Sequence, residues 1–191
     1  MNMSFNELEA PRVKPSLILR DAQPEEFGAA SEIIRAAYAE YASGMPTDRW
    51  ERYIERSADV WSRTNEAELI VAEVEGHLLG AVTFYPEGSA YAGEGWPQGC
   101  PGIRLLAVVP DGRRNGIGHA LIDECIRRAR ARGSAAVGLH TTERMAVAKA
   151  MYERIGFQRV PTHDFGASVL AYRLDLQPTL PAEASQQPPA A

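Results

Sequence analysis

The stretch from Arg104 to Gly118 joins a short apolar strand to a glycine-bearing turn and then to an amphipathic helix. It reads RLLAVVPDGRRNGIG, and the apolar helix face continues with Leu121 and Cys125. In this arrangement the first turn of the helix directs unpaired backbone N–H groups, at the positive end of the helix dipole, toward the end of the strand. Glycines at Gly116 and Gly118 leave that backbone uncovered. The pattern therefore predicts a site for a phosphate or pyrophosphate group.

Two common kinds of phosphate loop do not fit this stretch. A Walker-type loop needs Gly-Lys-Ser/Thr, but Gly116 is followed by Ile117. The dinucleotide fingerprint needs a third small residue where Leu121 stands, and an acidic residue at the end of the next strand. That strand ends at 139–141 with Leu-His-Thr, which contains no acid. Both loop types are therefore excluded.

A third kind of loop, Arg/Gln-x-x-Gly-x-Gly/Ala, holds the pyrophosphate of coenzyme A, and Arg113, Gly116 and Gly118 fit each of its fixed positions. A second motif, YERIGF at 152–157, follows at the end of the next helix. With these two motifs, residues 102–161 resemble the core of the GCN5-related N-acetyltransferase (GNAT) superfamily. The resemblance also includes the strand at 105–109, the helix that runs to residue 132, and the strand at 135–141.

The resemblance implies an α/β fold: a mostly antiparallel mixed sheet with a splayed pair of parallel strands, and helices on both faces. It implies acetyl-CoA as cosubstrate and no metal. The pantetheine arm of acetyl-CoA would bind the strand edge at Leu106, Ala107 and Val108. The pyrophosphate would bind the loop and first helical turn, formed by Arg113, Arg114, Asn115, Gly116, Ile117, Gly118 and His119.

The implied reaction is transfer of an acetyl group to a primary amine by direct attack in a ternary complex. In the superfamily a tyrosine at the position of Tyr152 points at the coenzyme A sulfur, which makes Tyr152 the predicted general acid. His140 stands where some members carry a glutamate base, and histidine can accept a proton near neutral pH. A backbone N–H on the splayed strand, most simply that of Val108, would polarise the thioester carbonyl.

Other proton acceptors remain open, namely a chain of water molecules or the side chains of Glu87, Glu143 and His163. One position departs from the superfamily pattern, because Met145 stands where an asparagine often binds the pantetheine arm. The departure removes one expected contact with the arm and leaves the pyrophosphate loop intact.

The acceptor is the least specified part of the sequence. An aromatic wall, with an acidic side chain to attract a cationic amine, would suit a small amine or the N-terminus or lysine of a peptide. The same aromatic side chains equally suit a plain hydrophobic core. Two other functions stay open: an acyl-CoA-binding sensor without turnover, and an acyltransferase that acts on a macromolecule. The aromatic candidates are Tyr38, Tyr41, Trp50, Trp61, Tyr91 and Trp96, and the acidic ones are Glu87 and Glu94.

Composition limits the broad class of protein. The chain has 191 residues, 45% of them hydrophobic, and a formal net charge of −5, which predicts one acidic globular domain without a nucleic-acid partner. Arginines 127, 128, 130 and 132 cluster near the end of one helix and are interpreted as a solvated face.

The two cysteines do not form a disulfide framework. No apolar stretch suits a signal peptide or membrane span, so we expect a cytoplasmic protein without a membrane partner. The resemblance adds a homodimer as an option.

Hydrophobic periodicity and turn residues predict the order of the elements. Residues 1–14 are expected to be flexible, 15–176 to form a single acetyltransferase domain, and 177–191, rich in Pro, Ala and Gln, to be disordered. Outside the core motif, the predicted strands are 16–20, 68–75, 77–85, 157–161 and 168–174. The predicted helices there are 24–41 and 48–60, and 87–102 is a loop.

Overall fold

The structure is a computed structural model that describes residues 16–88, 99–165 and 168–176. The predictions for residues 1–14 and 177–191 lie outside these ranges. The described chain forms four α-helices and seven strands. In order they are β1 (Leu17–Asp21), α1 (Phe27–Tyr38), α2 (Thr47–Ala58), β2 (Glu68–Val74), β3 (His77–Tyr85), β4 (Gly102–Val108), α3 (Ile117–Ala131), β5 (Ala136–Thr142), α4 (Ala146–Ile155), β6 (Gln158–Arg159) and β7 (Val169–Asp175).

All seven strands belong to one mixed sheet. Its order is β1-β2-β3-β4-β5-β7-β6, and each neighbouring pair is antiparallel except the parallel pair β4 and β5. The predicted α/β architecture, a mostly antiparallel sheet with one parallel pair, is therefore confirmed. In this order β7 lies between β5 and the two-residue β6, and it pairs antiparallel with each of them.

Helices cover both faces of the sheet. Alternate side chains of β2 point to opposite faces, so Ile70 and Ala72 join the α3 and α4 layer while Val71 joins the α1 and α2 layer. The first layer is centred on Leu121 and Cys125 of α3, as the helical spacing predicts. Within the described ranges, no helix combines the length and the apolar character needed to cross a membrane.

The sequence predicts a short hairpin turn at Gly76 between β2 and β3, and the structure has a turn of two residues there, because β2 ends one residue earlier than predicted. Both turn residues have positive φ, 50° at Glu75 and 79° at Gly76. This is the type I′ geometry, whose twist matches that of the flanking strands. The turn fixes the register of the strand that pairs with β4.

Two of the differences from the predicted element boundaries bear on the candidate site. The strand expected at 105–109 begins at Gly102, because its first residues pair with β3 on one side and β5 on the other. A neighbouring Gly/Pro-rich segment hides this start in the sequence. Helix α1 ends at Tyr38, and residues 39–44 continue as a 3₁₀ turn. That turn, called the α1 turn below, carries Tyr41 toward the candidate site.

The interpretation of the helix-end arginines as a solvated face was wrong for Arg128. Its side chain is only 12% exposed and pairs with Glu124 of its own helix and with Glu68 of β2. A third pair joins it to Asp21 of β1. Arg128 therefore ties the end of α3 to the edge of the sheet.

Candidate functional site

The parallel pair β4 and β5 separates after two residues. Gly102 pairs with Gly138 and Ile103 with Leu139, and no later residue of β4 pairs with β5 among the described residues. β5 stays paired with β7 along its whole length. A gap therefore opens between the carboxyl ends of β4 and β5, and the remaining edge of β4 faces it.

A β-bulge in β4 accompanies this separation. Arg104 pairs with Thr83 and Ala107 with Ala81, so two residues of β4 stand opposite one residue of β3. Leu105 in the bulge has a φ of 52°, a left-handed conformation that is rare for a side chain of this kind. Bulges bend a strand and increase its twist, which turns the end of β4 away from β5. The sequence carries no signal for it, since leucine does not favour positive φ.

Backbone alternation decides which groups of β4 face the gap. The Val109 N–H donates to the Leu79 carbonyl at 2.9 Å. Because hydrogen-bonded pairs alternate along an antiparallel ladder, Ala107 also bonds to β3. The polar backbone groups of Leu106 and Val108 are consequently directed toward the gap. Three residues were predicted to form this edge. The backbone polar groups of Leu106 and Val108 face the gap, whereas those of Ala107 face β3.

The first turn of α3 supplies a row of backbone donors beside this edge. Ala120 is the first amide of the helix found to donate, at 3.0 Å to the Gly116 carbonyl. In the described part of the chain, the N–H groups of residues 114–119 have no acceptor. Gly116 has a φ of 80°, and a Cβ built on it would meet no atom within 4 Å. The loop is thus an open cradle of N–H groups that a pyrophosphate fits.

Gly118 connects this cradle to the gap. A Cβ built on it would lie 3.7 Å from Cγ2 of Val108, 3.8 Å from Sδ of Met151 and 3.9 Å from Cδ2 of Leu106. The first turn of α3 therefore faces β4 and α4 together. The neighbouring Ile117 side chain turns into the core and is buried.

The Arg113 side chain is directed toward α1. Its Nη2 donates to the Ala37 carbonyl at 3.0 Å and lies 2.9 Å from Oε1 of Glu40. Its Nε lies 3.4 Å from the Val108 carbonyl oxygen, a long hydrogen bond. The guanidinium therefore links the loop to the end of α1 and to the edge of β4.

The other predicted loop residues hold the turn or line its rim. Arg114 adopts a positive φ of 64°, and the Asn115 amide donates to the Gly112 carbonyl at 3.4 Å. His119 is exposed, with its Nδ1 2.8 Å from Asp123 one turn along α3. These three side chains lie around the backbone donors without covering the Cβ position of Gly116.

Tyr152, the predicted general acid, lies on α4 and is 6% exposed. Its ring packs against Phe157 with 5.9 Å between centroids. Burial raises the pKa of the Tyr152 phenol above its usual value, and the nearby Cys125 thiol and Tyr41 phenol raise it further. Tyr152 in turn raises the pKa of Tyr38. The side chain belongs to the apolar layer of α3 and α4, and it follows Met151, whose Sδ faces Gly118 in the first turn of α3.

His140, the predicted base, lies on β5 and is half-buried. Its Nε2 is 3.0 Å from the backbone carbonyl oxygen of His163. A carbonyl oxygen only accepts, so Nε2 donates and the lone pair of the neutral ring lies on Nδ1. Nδ1 is accordingly the atom of His140 that can take a proton.

The three alternative side chains for the base occupy different places. Glu143 forms an ion pair with Lys149 on α4. Nδ1 of His163 lies 3.0 Å from the Thr162 hydroxyl oxygen. Glu87 is exposed and follows β3. The last residue of β3, Tyr85, pairs with Gly102, where β4 and β5 are still joined. Glu87 therefore follows the end of β3 that is opposite to the gap.

Aromatic side chains of α1, the α1 turn and α2 lie together on the face of the sheet opposite α3 and α4. Ring centroids are 6.0 Å apart for Tyr38 and Tyr41, 6.4 Å for Tyr38 and Tyr53, and 5.8 Å for Trp50 and Tyr53. Burial raises the pKa of Tyr38 and Tyr53, and the Arg104 charge opposes this rise at both. Tyr53 was missed as a member of this cluster, although its helical spacing is visible in the sequence.

Trp61, another proposed wall residue, does not join this cluster. Trp61 is 57% exposed and packs on Phe27 at the start of α1. Given a rise of 1.5 Å per residue, Phe27 lies roughly 16 Å from Tyr38 along α1. Tyr91, Trp96 and Glu94 lie outside the described residues.

Met145 precedes α4 and packs against the apolar layer of α1 and α2. It makes no side-chain capping bond to the helix. The contact that an asparagine would provide here is therefore replaced by apolar packing. Among the described residues, no group of three or more His, Cys, Asp or Glu could hold a metal ion.

A parallel pair that splays beside a glycine-rich helix N-terminus defines a class of proteins that hold an acyl-coenzyme A. The model of the acetyltransferase (GNAT) family matches residues 30–157, which is more than half of the chain. The chain belongs to this family, as its motifs indicate.

Among curated proteins, the chain is similar to a mycothiol acetyltransferase from Cellulomonas flavigena, with 31% identity over 141 residues. The match covers 62% of this chain and 39% of that protein, so the chain spans well under half of the relative's length.

Solved structures share the fold at low identity. The PaiA N-acetyltransferase from Thermoplasma acidophilum, solved with coenzyme A, has a TM-score of 0.68 and 17% identity over 84% of this chain and 99% of that one. A GNAT acetyltransferase from Brucella melitensis, with acetyl-CoA, has a TM-score of 0.57 and 22% identity over 87% and 92%. The ribosomal-protein-S18-alanine N-acetyltransferase from Escherichia coli has a TM-score of 0.60 and 18% identity over 88% and 98%.

Proposed function

We propose that this protein is an acetyl-CoA-dependent N-acetyltransferase that transfers the acetyl group to a primary amine by direct attack with both substrates bound. The observation that carries the proposal is the meeting of the unpaired β4 edge with the row of N–H groups at the start of α3. A strand edge suits the amide-containing pantetheine arm, and a helix N-terminus suits the pyrophosphate.

Binding of acetyl-CoA would use mostly backbone groups. The N–H groups of residues 114–119 hold the pyrophosphate, and the polar groups of Leu106 and Val108 bond the arm. The absence of side chains at Gly116 and Gly118 permits this close approach. Such fixed donors hold the thioester in one orientation, which removes much of the entropy cost of the reaction.

The chemistry forms a C–N bond and breaks the C–S bond of the thioester. The Val108 N–H, directed into the gap, donates to the carbonyl oxygen as negative charge develops on it. The amine must lose a proton, which Nδ1 of His140 or a water molecule accepts. The Tyr152 phenol gives a proton to the departing thiolate. A phenol is protonated at neutral pH, and burial raises the pKa of Tyr152 further, so the acid is in its proton-donating form.

The test measures acetyl-CoA consumption and free thiol across a panel of amino acids, polyamines, aminoglycosides and short peptides. Release of thiol that depends on one class of amine is expected, with the acetylated amine identified by mass spectrometry. A thermal shift with acetyl-CoA but no thiol release from any acceptor, macromolecules included, would contradict the enzyme assignment. That result would favour an acyl-CoA-binding sensor instead.

A further inference from the structure

A polar cavity of about 440 Å³ lies at the mouth of the gap. The α1 turn contributes Glu40, Tyr41, Ser43 and Gly44 to its lining, and the loop between β5 and α4 contributes Arg144. The α1 turn follows a helix on one face of the sheet, while that loop enters a helix on the other. The cavity is therefore an open cleft between segments from both faces, where β5 ends beside the gap.

Arg144 reaches across this mouth to the α1 turn. A Cβ built on Gly44 would overlap the Arg144 guanidinium, with Nη1 as the nearest atom. Glycine at this position therefore provides the space in which the guanidinium lies. Any other residue at 44 would displace the Arg144 side chain without changing its charge.

The acidic side chains beside Arg144 already have other cationic partners. Glu40 lies 2.9 Å from Arg113, and Glu143 lies 2.5 Å from Lys149. Across the described ranges, Arg144 itself makes no hydrogen bond or ion pair. The cavity thus contains one surplus positive charge with five N–H donors, a set that matches a carboxylate.

The cavity adjoins the proposed transfer centre. Glu40 in its lining lies 2.9 Å from Arg113, and Nε of Arg113 lies 3.4 Å from the Val108 carbonyl oxygen at the β4 edge. A ligand with one group at Arg144 and another in the gap therefore needs little length. An amine and a carboxylate on the same small molecule meet this requirement.

We propose that Arg144 is a carboxylate-binding subsite for the acceptor, and that the preferred acceptors are amino acids whose carboxylate is free. This inference rests on the proposed N-acetyltransferase function and narrows its substrate class. In this arrangement the guanidinium holds the carboxylate bidentately, which orients the amine toward the thioester.

The test compares each amino acid with its own amide, for example alanine with alaninamide and lysine with lysinamide. The amide keeps the size and the amine but removes the negative charge. The wild-type protein is expected to favour the acid over the amide by at least about tenfold in kcat/KM, as for a hydrogen bond to a charged group. In Arg144→Gln this ratio should fall about tenfold.

Two further variants separate the subsite from general surface charge. Gly44→Ala keeps the arginine but displaces it, so it should lower the acid-to-amide ratio in the same direction. Arg154→Gln removes an exposed arginine from the last turn of α4 and should leave the ratio unchanged. A wild-type ratio near one, or an unchanged ratio in Arg144→Gln, would overturn the inference while leaving the N-acetyltransferase function intact.

A binding measurement keeps the inference separate from turnover. Calorimetry with coenzyme A present would compare N-acetylalanine with N-acetylalaninamide on wild type and Arg144→Gln. Preferential binding of the acid that is lost in Arg144→Gln supports the subsite even if no amine is acetylated, in which case the proposed function fails alone. Equal binding of the two compounds, or binding of neither, contradicts the subsite.

Discussion

Tyr152 is the residue on which the proposed chemistry depends most directly. Its buried phenol has a raised pKa, so it stays protonated to higher pH than a free tyrosine, whose pKa is about 10. A model thiol has a pKa of about 8.5, below that of the phenol, so transfer of the proton from the phenol to the thiolate is thermodynamically uphill, and the raised pKa of Tyr152 makes it more so. Position near the thiolate therefore matters more than acidity.

We expect Tyr152→Phe to lower kcat by at least tenfold while the Kd for acetyl-CoA stays within about twofold. Steady-state kinetics and calorimetry measure the two quantities. In the wild type, Tyr152 should cause no alkaline fall in kcat below pH about 10, because a group with a raised pKa loses its proton only above its ordinary range.

Tyr172→Phe is the matched control for this variant. Tyr172 is also a buried tyrosine, and its hydroxyl donates to Glu153 at 2.8 Å on the far side of β5. Its replacement should lower stability and leave kcat unchanged. Turnover of Tyr152→Phe at the wild-type rate would remove the general-acid assignment.

Arg113 offers a second residue-scale prediction, because its contacts with Ala37, Glu40 and Val108 differ from those of a phosphate ligand. A side chain that bonds phosphate would matter for acetyl-CoA and not for acetyl-pantetheine, which has no pyrophosphate. If Arg113 instead positions the loop and the β4 edge, Arg113→Ala should weaken binding of both compounds by similar factors. Calorimetry with each compound, on the wild type and on Arg113→Ala, measures the two factors.

The neighbouring Arg114 is the control for this experiment. It follows in the loop, is exposed, and forms no hydrogen bond or ion pair among the residues that the structure describes. Arg114→Ala should therefore lower the affinity for acetyl-CoA only slightly. Its effect on the affinity for acetyl-pantetheine should be smaller still. Selective loss of acetyl-CoA binding in Arg113→Ala would instead identify Arg113 as a phosphate ligand.

At the scale of elements, the close packing of α3 on β3 depends on Gly80. A Cβ there would lie 2.9 Å from Cγ2 of Ile117, 3.0 Å from Cδ1 of Leu121 and 3.2 Å from the Ala107 carbonyl oxygen. Real Cβ atoms essentially never come as close as 2.9 Å to such a neighbour, so Ile117 must shift, and we expect the first turn of α3, to which it belongs, to move with it. This displacement would shift the N–H groups proposed to bind the pyrophosphate.

Gly80→Ala should therefore destabilise the protein by about 1–3 kcal/mol, as expected for overpacking, and also weaken acetyl-CoA binding. Gly28→Ala is the opposite control, because a Cβ at Gly28 in α1 meets nothing within 4 Å. That change should stabilise the helix by up to about 1 kcal/mol. Urea unfolding measures both, and an unchanged midpoint for Gly80→Ala would disprove the packing argument.

The bulge at Leu105 acts at the same scale, since it sets the direction of an element rather than the chemistry of one residue. It turns β4 away from β5 and leaves the Leu106 and Val108 backbone groups facing the gap. A left-handed leucine persists only when the surrounding packing holds it there, and Leu105 packs against the α1 and α2 layer.

For the whole molecule, acetyl-CoA should stabilise the fold because it bridges β4, α3 and α4, which belong to different parts of the chain. A ligand at 100 times its Kd adds about 2.7 kcal/mol. For a protein of this size, each kcal/mol raises Tm by roughly 2–4 °C. We therefore expect a Tm increase of about 5–10 °C in a thermal melt.

Gly118→Val tests whether this stabilisation comes from the proposed cradle. The Cβ position has ordinary contact distances to Val108, Met151 and Leu106, so the added methyl groups would extend into the gap. The variant should fold, with a normal circular dichroism spectrum, and show no Tm increase with acetyl-CoA. A folded variant with an undiminished increase would contradict the binding site.

The sequence by itself determined the family and the order of the elements, and it predicted a pyrophosphate loop. These features depend on local rules: apolar periodicity selects strand or helix, and glycine at 116 and 118 permits a ligand to approach the backbone. The loop and the motif at 152–157 have fixed spacing, so they are readable without any knowledge of distant contacts. Tyr152 could be selected in this way, whereas its burial could not.

Only the tertiary structure decided how these parts meet. The partner of Arg113 lies 76 residues away at Ala37, and Arg144 lies against Gly44. His140 bonds to a carbonyl 23 residues away, and the bulge at Leu105 opposes the preference of its own residue. Packing between elements, rather than local propensity, fixes each of these contacts. For this reason the sequence predicted a cofactor loop but not the shape or the charge of the cavity proposed for the acceptor.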